Sequence, residues 1–95
     1  MAKFGELIDR EEPVVICFDK IEDNTKPHLL DLQSRYLDKI TVLIMDVYKN
    51  KTLAQALGVK ETPCVVIYCG GEMKYRDVGV KNKMARIEKV IKANL

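Results

Sequence analysis

The sequence predicts an α/β domain in which helices cover both faces of a mixed four-stranded sheet, in the order α-β-α-β-α-β-β-α. A continuous apolar run, residues 14–18, and a second largely apolar segment, residues 40–47, are predicted to be buried strands, and they flank an amphipathic segment, which is typical of a parallel β-α-β unit. Two further strand-like segments, residues 65–68 and 72–78, are joined by Gly70-Gly71, which indicates an antiparallel hairpin.

The first half of the chain contains the helices of the parallel unit. A short opening helix is predicted from three apolar side chains at helical spacing, Phe4, Leu7 and Ile8. It is expected to end before Pro13. A second helix is expected to begin near Thr25, since Pro27 is tolerated in a first turn. The apolar face of this second helix is expected to consist of Leu29, Leu32, Tyr36 and Leu37.

The second half of the chain contains a short helix before the hairpin and a longer one after it. Asn50 is expected to cap the short helix, which runs to Leu57, and Gly58 to close it in a left-handed conformation. Gly79 follows the hairpin, and Asn82 is expected to cap the last helix. The inward face of that helix is expected to consist of Met84, Ile87, Val90 and Ile91.

Length, charge and cysteine content exclude several classes of protein. A chain of 95 residues is expected to form one domain, residues 1–95. Its net charge of +2 gives no electrostatic indication of nucleic-acid binding, and its apolar runs are too short to span a membrane. We expect no secretory signal at the start. Three cysteines, an odd number, favour a reduced cytoplasmic protein over a disulfide framework.

This order of elements, with Thr62-Pro63 opening the hairpin, resembles the thioredoxin fold. The segments with similar residues are 36–47, 50–59, 62–63, 68–72, 78–79 and 92–95. The resemblance extends from about Lys3 onward and implies a thioredoxin-like chain that lacks the first strand of a full thioredoxin. By resemblance alone, it also implies a role in cell redox homeostasis.

The resemblance further implies a partner-binding face. Pro63 would be the cis proline of the family, which exposes the backbone of Thr62 to a bound peptide. An extended peptide can then pair along that backbone as an added strand. Gly79 and Val80 would lie in the adjacent loop, where a glycine lets a partner backbone approach closely. The expected partner is therefore a protein or peptide at Thr62, Pro63, Gly79 and Val80.

The family's dithiol motif is not matched by this sequence. Thioredoxins carry Cys-x-x-Cys just after the first buried strand, whereas residues 19–26 here read DKIEDNTK. Cys17 falls where the family has a buried aspartate, and Tyr48 falls near a second acidic position. The acidic side chains of this segment would disfavour a thiolate, and we expect Asp23, Asn24 or Thr25 to cap the following helix. The resemblance is therefore to a divergent member with a degenerate active site.

The three cysteines differ in their surroundings. Cys17 lies within a buried strand, where a thiol behaves as a small hydrophobic group. Cys64 follows Pro63, next to the expected partner, and is the weak candidate for a catalytic residue. Cys69 is expected to be exposed in the hairpin turn. Because Cys64 and Cys69 are separated by roughly 16 Å of extended chain, they are too far apart for a disulfide.

The sequence indicates no metal and no cofactor. His28 is the single histidine, without cysteine or carboxylate at metal-ligand spacing, and is expected to be a surface residue of a first helical turn. The glycines form no phosphate-binding motif.

Several functions remain open. The first is a non-catalytic protein-binding or accessory module, and the alternative is an atypical thiol-disulfide oxidoreductase that uses Cys64 as a single thiol. Its activity would require an exposed thiol of low pKa. A structural role as a monomer or weak homodimer, paired through an open sheet edge, and glutathione binding without redox chemistry are further possibilities.

Overall fold

The computed structural model describes residues 4–95, so Lys3, where the resemblance begins, lies outside the described part. Four strands form one sheet: β1 (Val14–Asp19), β2 (Thr41–Asp46), β3 (Cys64–Cys69) and β4 (Glu72–Val78). The spatial order is β2-β1-β3-β4. Strand β1 pairs in parallel with β2 and antiparallel with β3, and β3 pairs antiparallel with β4. The predicted mixed four-stranded sheet is confirmed, but the expected burial of the strand at residues 40–47 is wrong, because β2 is an edge strand whose residues are all partly exposed.

Four α-helices connect and flank these strands. They are α1 (Phe4–Ile8), α2 (Lys26–Tyr36), α3 (Lys51–Ala56) and α4 (Met84–Ala93). Single turns of 3₁₀-helix span Ile21–Asp23, Leu37–Lys39 and Lys81–Lys83. The predicted order of helices and strands is confirmed.

The sheet separates two apolar cores. Because successive side chains of a strand point to opposite faces, β1 contributes alternately to both. On one face, Cys17 of β1 packs with Leu29 and Leu32 of α2 and Ile87 of α4. We call this the α2/α4 core. The opposite α1/α3 core contains these residues: Val14, Ile16, Phe18, Ala54, Val59, Cys64, Val66 and Tyr68. Helices therefore cover both faces of the sheet, as predicted.

Two tight turns, after α3 and between β3 and β4, contain glycines with positive φ. Gly58 ends the α3 segment at φ +75°, and Gly70 and Gly71 adopt φ +60° and +80° in the hairpin turn. Positive φ is accessible to glycine at little cost, because glycine has no Cβ. The predicted left-handed Gly58 and the predicted Gly-Gly turn are both confirmed.

Two expected helix caps are wrong. The Asn50 side chain does not cap α3, because its amide donates instead to the Asp46 carbonyl at 2.9 Å. Asn82 lies inside the 3₁₀ turn Lys81–Lys83, so α4 begins two residues later, at Met84. Each helix still begins close to its predicted start.

The expectation that Leu37 belongs to the apolar face of α2 is also wrong. It follows the last residue of α2 at φ +32°, and its side chain is 69% exposed. The backbone leaves the helical path at this residue, so the helical spacing that groups Leu37 with Leu29 and Leu32 no longer sets the direction of its side chain. Leu29 and Leu32 are fully buried, and Tyr36 packs partly buried against them, as predicted.

Helix α2 offers a matched test of this packing. Replacing the buried Leu32 with alanine is expected to lower the free energy of unfolding by about 2–5 kcal/mol, because contacts are lost and a cavity remains. Leu30→Ala, in the same helix but 48% exposed, is expected to change it by less than about 0.5 kcal/mol. Urea denaturation followed by circular dichroism measures both. Equal effects of the two substitutions would contradict this orientation of α2.

Candidate functional site

The Thr62–Pro63 peptide bond is cis and lies directly before β3. It stands between two surface depressions. The first is a groove of about 340 Å³ on the α2 side of the sheet, which we call the Pro63 groove. Its lining residues are Asp23, Asn24, Thr25, His28, Pro63, Gly79, Val80, Lys81 and Asn82.

The structure brings the four expected partner-binding residues together. The backbone N–H of Gly79 donates to the Pro63 carbonyl at 2.7 Å, which fixes the loop after β4 beside the cis bond. Within residues 4–95, neither the N–H nor the carbonyl of Thr62 takes part in a hydrogen bond to the backbone or to a side chain. Val80 differs from the expectation in one respect: its side chain is buried in the α2/α4 core, so it can offer only backbone atoms to the groove.

A polar network holds the segment between β1 and α2, at one side of the groove. The hydroxyl of Thr25 is buried and donates to Asp19 Oδ2 at 2.7 Å. The Cys17 thiol lies 3.8 Å from the same hydroxyl oxygen, which can accept its proton. The carboxylate of Asp23 accepts the backbone N–H of Lys20 at 2.9 Å. These bonds fix the segment that the resemblance aligns with the family's dithiol position.

The expected cap of α2 is therefore only partly right. Thr25 occupies the position before the helix, but neither its hydroxyl nor any other side chain caps α2 there. The hydroxyl is engaged by Asp19 instead, and Asp23 stabilises the preceding 3₁₀ turn. Asn24 adopts φ +50°, a left-handed conformation that asparagine tolerates better than most residues.

Cys17 is held in its neutral form. Burial raises the pKa of its thiol to about 12, and the hydrogen bond with Thr25 opposes that shift only in part. The negative charge of Asp19 raises the pKa further. A thiol in these surroundings is a poor nucleophile, because the thiolate is the reactive species. The interpretation of Cys17 as a core residue agrees with this geometry.

Cys64 faces away from the Pro63 groove. Although it follows Pro63 in sequence, its side chain is 3% exposed and packs in the α1/α3 core. It borders a separate depression together with Arg76 and Asp77. Burial raises the pKa of the Cys64 thiol, and the Arg76 guanidinium offsets this only in part. The groove lining given above contains no thiol.

Cys69 is the last residue of β3, and its side chain is half-buried instead of exposed in the turn. Its sulfur lies 3.3 Å from the Glu11 carbonyl oxygen and 3.7 Å from that of Asn94. All three cysteines are free thiols.

His28 is a groove residue that the sequence interpretation missed. Its place in the first turn of α2 directs it into the Pro63 groove, opposite Gly79 and Lys81. The sequence did carry a signal for part of this placement. Pro27 is typical of the start of a helix, so it indicates that His28 lies in the first turn of α2. Within the described residues, no group of three or more histidine, cysteine or acidic side chains is placed to hold a metal ion.

A second depression lies on the other side of the Thr62–Pro63 bond. It has a volume of about 230 Å³, and we call it the Thr62 pocket. Besides Val47 and Val59, its lining consists of polar, charged and aromatic residues: Lys20, Tyr48, Lys51, Lys60, Glu61 and Thr62. Tyr48 is 66% exposed, so its ring is available at the surface. This pocket was not expected from the sequence, because its residues come from three separate segments.

Among residues 4–95, no helix combines the length and the apolar character needed to cross a membrane.

Solved structures share this architecture. A mutant thioredoxin from Halobacterium salinarum superposes with a TM-score of 0.82 at 21% identity, covering 99% of this chain and 84% of that one. Oxidised mitochondrial thioredoxin 3 from Saccharomyces cerevisiae gives 0.80 at 24% identity, covering 95% and 86%. A chain from a structural study of thiol resolution in yeast mitochondrial 1-Cys peroxiredoxin via glutathione/thioredoxin systems gives 0.81 at 24% identity, covering 95% and 86%. The fold is therefore the thioredoxin fold.

Sequence comparison gives the family. No curated protein matches the sequence. The family model described as Thioredoxin matches residues 23–93, which is well over half of the chain and includes Thr62, Pro63, Gly79 and Val80. The chain belongs to the thioredoxin family.

Proposed function

We propose that this thioredoxin-family chain binds an extended segment of a partner protein in the Pro63 groove and carries out no dithiol exchange. The observation that carries the proposal is the separation of groove and thiols. The groove contains Pro63 and Gly79, whereas Cys17 and Cys64 are buried in the two cores. Binding can therefore take place without a nucleophile.

The backbone around the groove supports binding of a peptide. The N–H and carbonyl of Thr62 bond to no group within residues 4–95, and an extended peptide can satisfy both by pairing as an added strand. Gly79 presents no side chain, which allows a partner backbone to come close. Main-chain pairing supplies affinity, while neighbouring side chains such as His28 supply selectivity.

The positions of the cysteines support the absence of dithiol exchange. No two of Cys17, Cys64 and Cys69 have the two-residue separation of the family motif. Exchange also requires a thiolate that can reach a partner disulfide. Burial opposes both requirements at Cys17 and Cys64. The alternative, a single-thiol oxidoreductase based on Cys64, is disfavoured for the same reason.

The binding proposal can be tested with two glycine substitutions. A library of short random peptides without cysteine is selected on the wild-type protein, and dissociation constants of enriched peptides are measured by ¹⁵N chemical-shift titration. Gly79→Ala is expected to weaken binding by about tenfold or more, a loss of roughly 1.4 kcal/mol. Two physical reasons apply: φ +110° is a backbone conformation that alanine rarely adopts, and an added Cβ would lie 2.8 Å from Asn82 Oδ1 and 3.1 Å from Lys83 Cγ, so these side chains must move.

Gly70→Ala is the matched control. Gly70 also has positive φ, but at +60° it lies in the left-handed region, which alanine adopts at a smaller cost than φ +110°, and no atom of the described residues lies within 4 Å of the added Cβ. We expect its peptide affinity to equal that of the wild type. If no cysteine-free peptide is enriched, or if enriched peptides bind Gly79→Ala as tightly as the wild type, the groove is not the binding site.

The thiols are expected to alkylate in a fixed order. At pH 8 in the folded protein, Cys69 should react with iodoacetamide first, because Cys64 and Cys17 are buried and their pKa values are raised. A raised pKa lowers the thiolate fraction at every pH below it, so Cys17 should react only through opening of the fold. Mass spectrometry of peptide digests resolves the three sites.

Protein unfolded in urea provides the control, in which all three cysteines should react at similar rates. Fast alkylation of Cys64 in the folded state, with an apparent pKa below about 7, would contradict this account and favour the single-thiol alternative, since a free cysteine has a pKa near 8.5.

A further inference from the structure

We propose that the partner segment is acidic where it leaves the groove on the Thr62 side, and that the Thr62 pocket binds its carboxylates. This inference rests on the proposed function and adds the chemistry of the partner. It starts from three lysines that border one pocket of about 230 Å³: Lys20, Lys51 and Lys60.

These lysines come from three separate parts of the fold. Lys20 follows β1, Lys51 is the first residue of α3, and Lys60 lies in the segment before β3. Of the ion pairs formed within residues 4–95, none involves any of the three. Their charges therefore repel one another without a compensating carboxylate in contact.

One carboxylate, that of Glu61, also lines the pocket. Three positive charges against one negative charge leave the pocket with an excess of positive charge. Positive and negative patches that meet at an interface steer association and select the partner. An occupant with several negative charges is accordingly the complementary one.

Continuity with the groove identifies that occupant as a peptide. Thr62 lines this pocket and Pro63 lines the groove, so an extended chain paired with Thr62 reaches both. The N–H and carbonyl of Thr62, which bond to no group within residues 4–95, match the alternating donors and acceptors of a peptide backbone, whereas the sugar-phosphate backbone of DNA offers only acceptors. The exposed ring of Tyr48 provides apolar surface beside the charges.

The test uses a groove-binding peptide from the cysteine-free selection, extended with glutamates at one end or at the other, and the same peptides with glutamines. At least one glutamate extension should bind the wild type about tenfold more tightly than its glutamine counterpart, since exposed ion pairs each contribute a few-fold in affinity. The gain should shrink as salt concentration rises, because the lysines are at the surface.

Two triple variants with the same net charge separate the pocket from general electrostatics. Lys20→Gln/Lys51→Gln/Lys60→Gln should abolish the glutamate gain and leave the affinity for the glutamine peptides unchanged. The control, Lys39→Gln/Lys89→Gln/Lys92→Gln, changes exposed lysines that line neither depression and should keep the gain. None of the six lysines belongs to either core, so these substitutions remove no core contact.

The outcomes distinguish this inference from the proposed function. If glutamine peptides bind in a Gly79-dependent manner but glutamates give no gain, the inference is wrong and the proposed function stands. A gain that is lost equally in both triple variants overturns the inference in favour of nonspecific attraction. Equal competition by inorganic phosphate or by short single-stranded DNA overturns it in favour of a general anion site. Absence of any groove binder overturns both.

Discussion

The structure depends on the burial of strand β1. Residues 14–18 are fully buried, and they pair with β2 on one side and β3 on the other. Their side chains alternate between the α2/α4 core and the α1/α3 core, so all four helices pack against one strand or its neighbours. These five residues are closed to water on both faces. Their packing holds the end of the strand at Asp19 in place, and Asp19 in turn positions the segment that leads to α2.

The position of Asp19 determines how the segment between β1 and α2 is arranged beside the Pro63 groove. Asp19 accepts a hydrogen bond from the Thr25 hydroxyl, and the Cys17 thiol lies against the same hydroxyl, so a polar network holds the segment between β1 and α2. Across the groove, the Gly79 N–H donates to the Pro63 carbonyl, while the N–H and carbonyl of the neighbouring Thr62 form no hydrogen bond within residues 4–95. A fold does not by itself imply an activity, and here no cysteine lines the Pro63 groove.

The sequence could predict what is set by local periodicity, and it failed where tertiary contacts decide. Apolar segments predicted strands β1 and β2, although only β1 is fully buried because β2 lies at the edge of the sheet, and Gly70-Gly71 predicted the hairpin turn. The caps at Asn50 and Asn82 were wrong because a competing hydrogen bond and a 3₁₀ turn prevail there. The grouping of Pro63 with Gly79 came from family resemblance. The lysines of the Thr62 pocket could not be foreseen, since nothing in sequence spacing shows that three distant segments converge.

The central claim is that the Pro63 groove binds its partner without any thiol. The most direct measurement is the dissociation constant of a selected cysteine-free peptide for a variant in which Cys17, Cys64 and Cys69 are all replaced by alanine, its fold verified by circular dichroism. The account predicts an affinity within about twofold of the wild type, because the groove lining contains no cysteine. Loss of binding by the folded variant would contradict the account and place a thiol in the site.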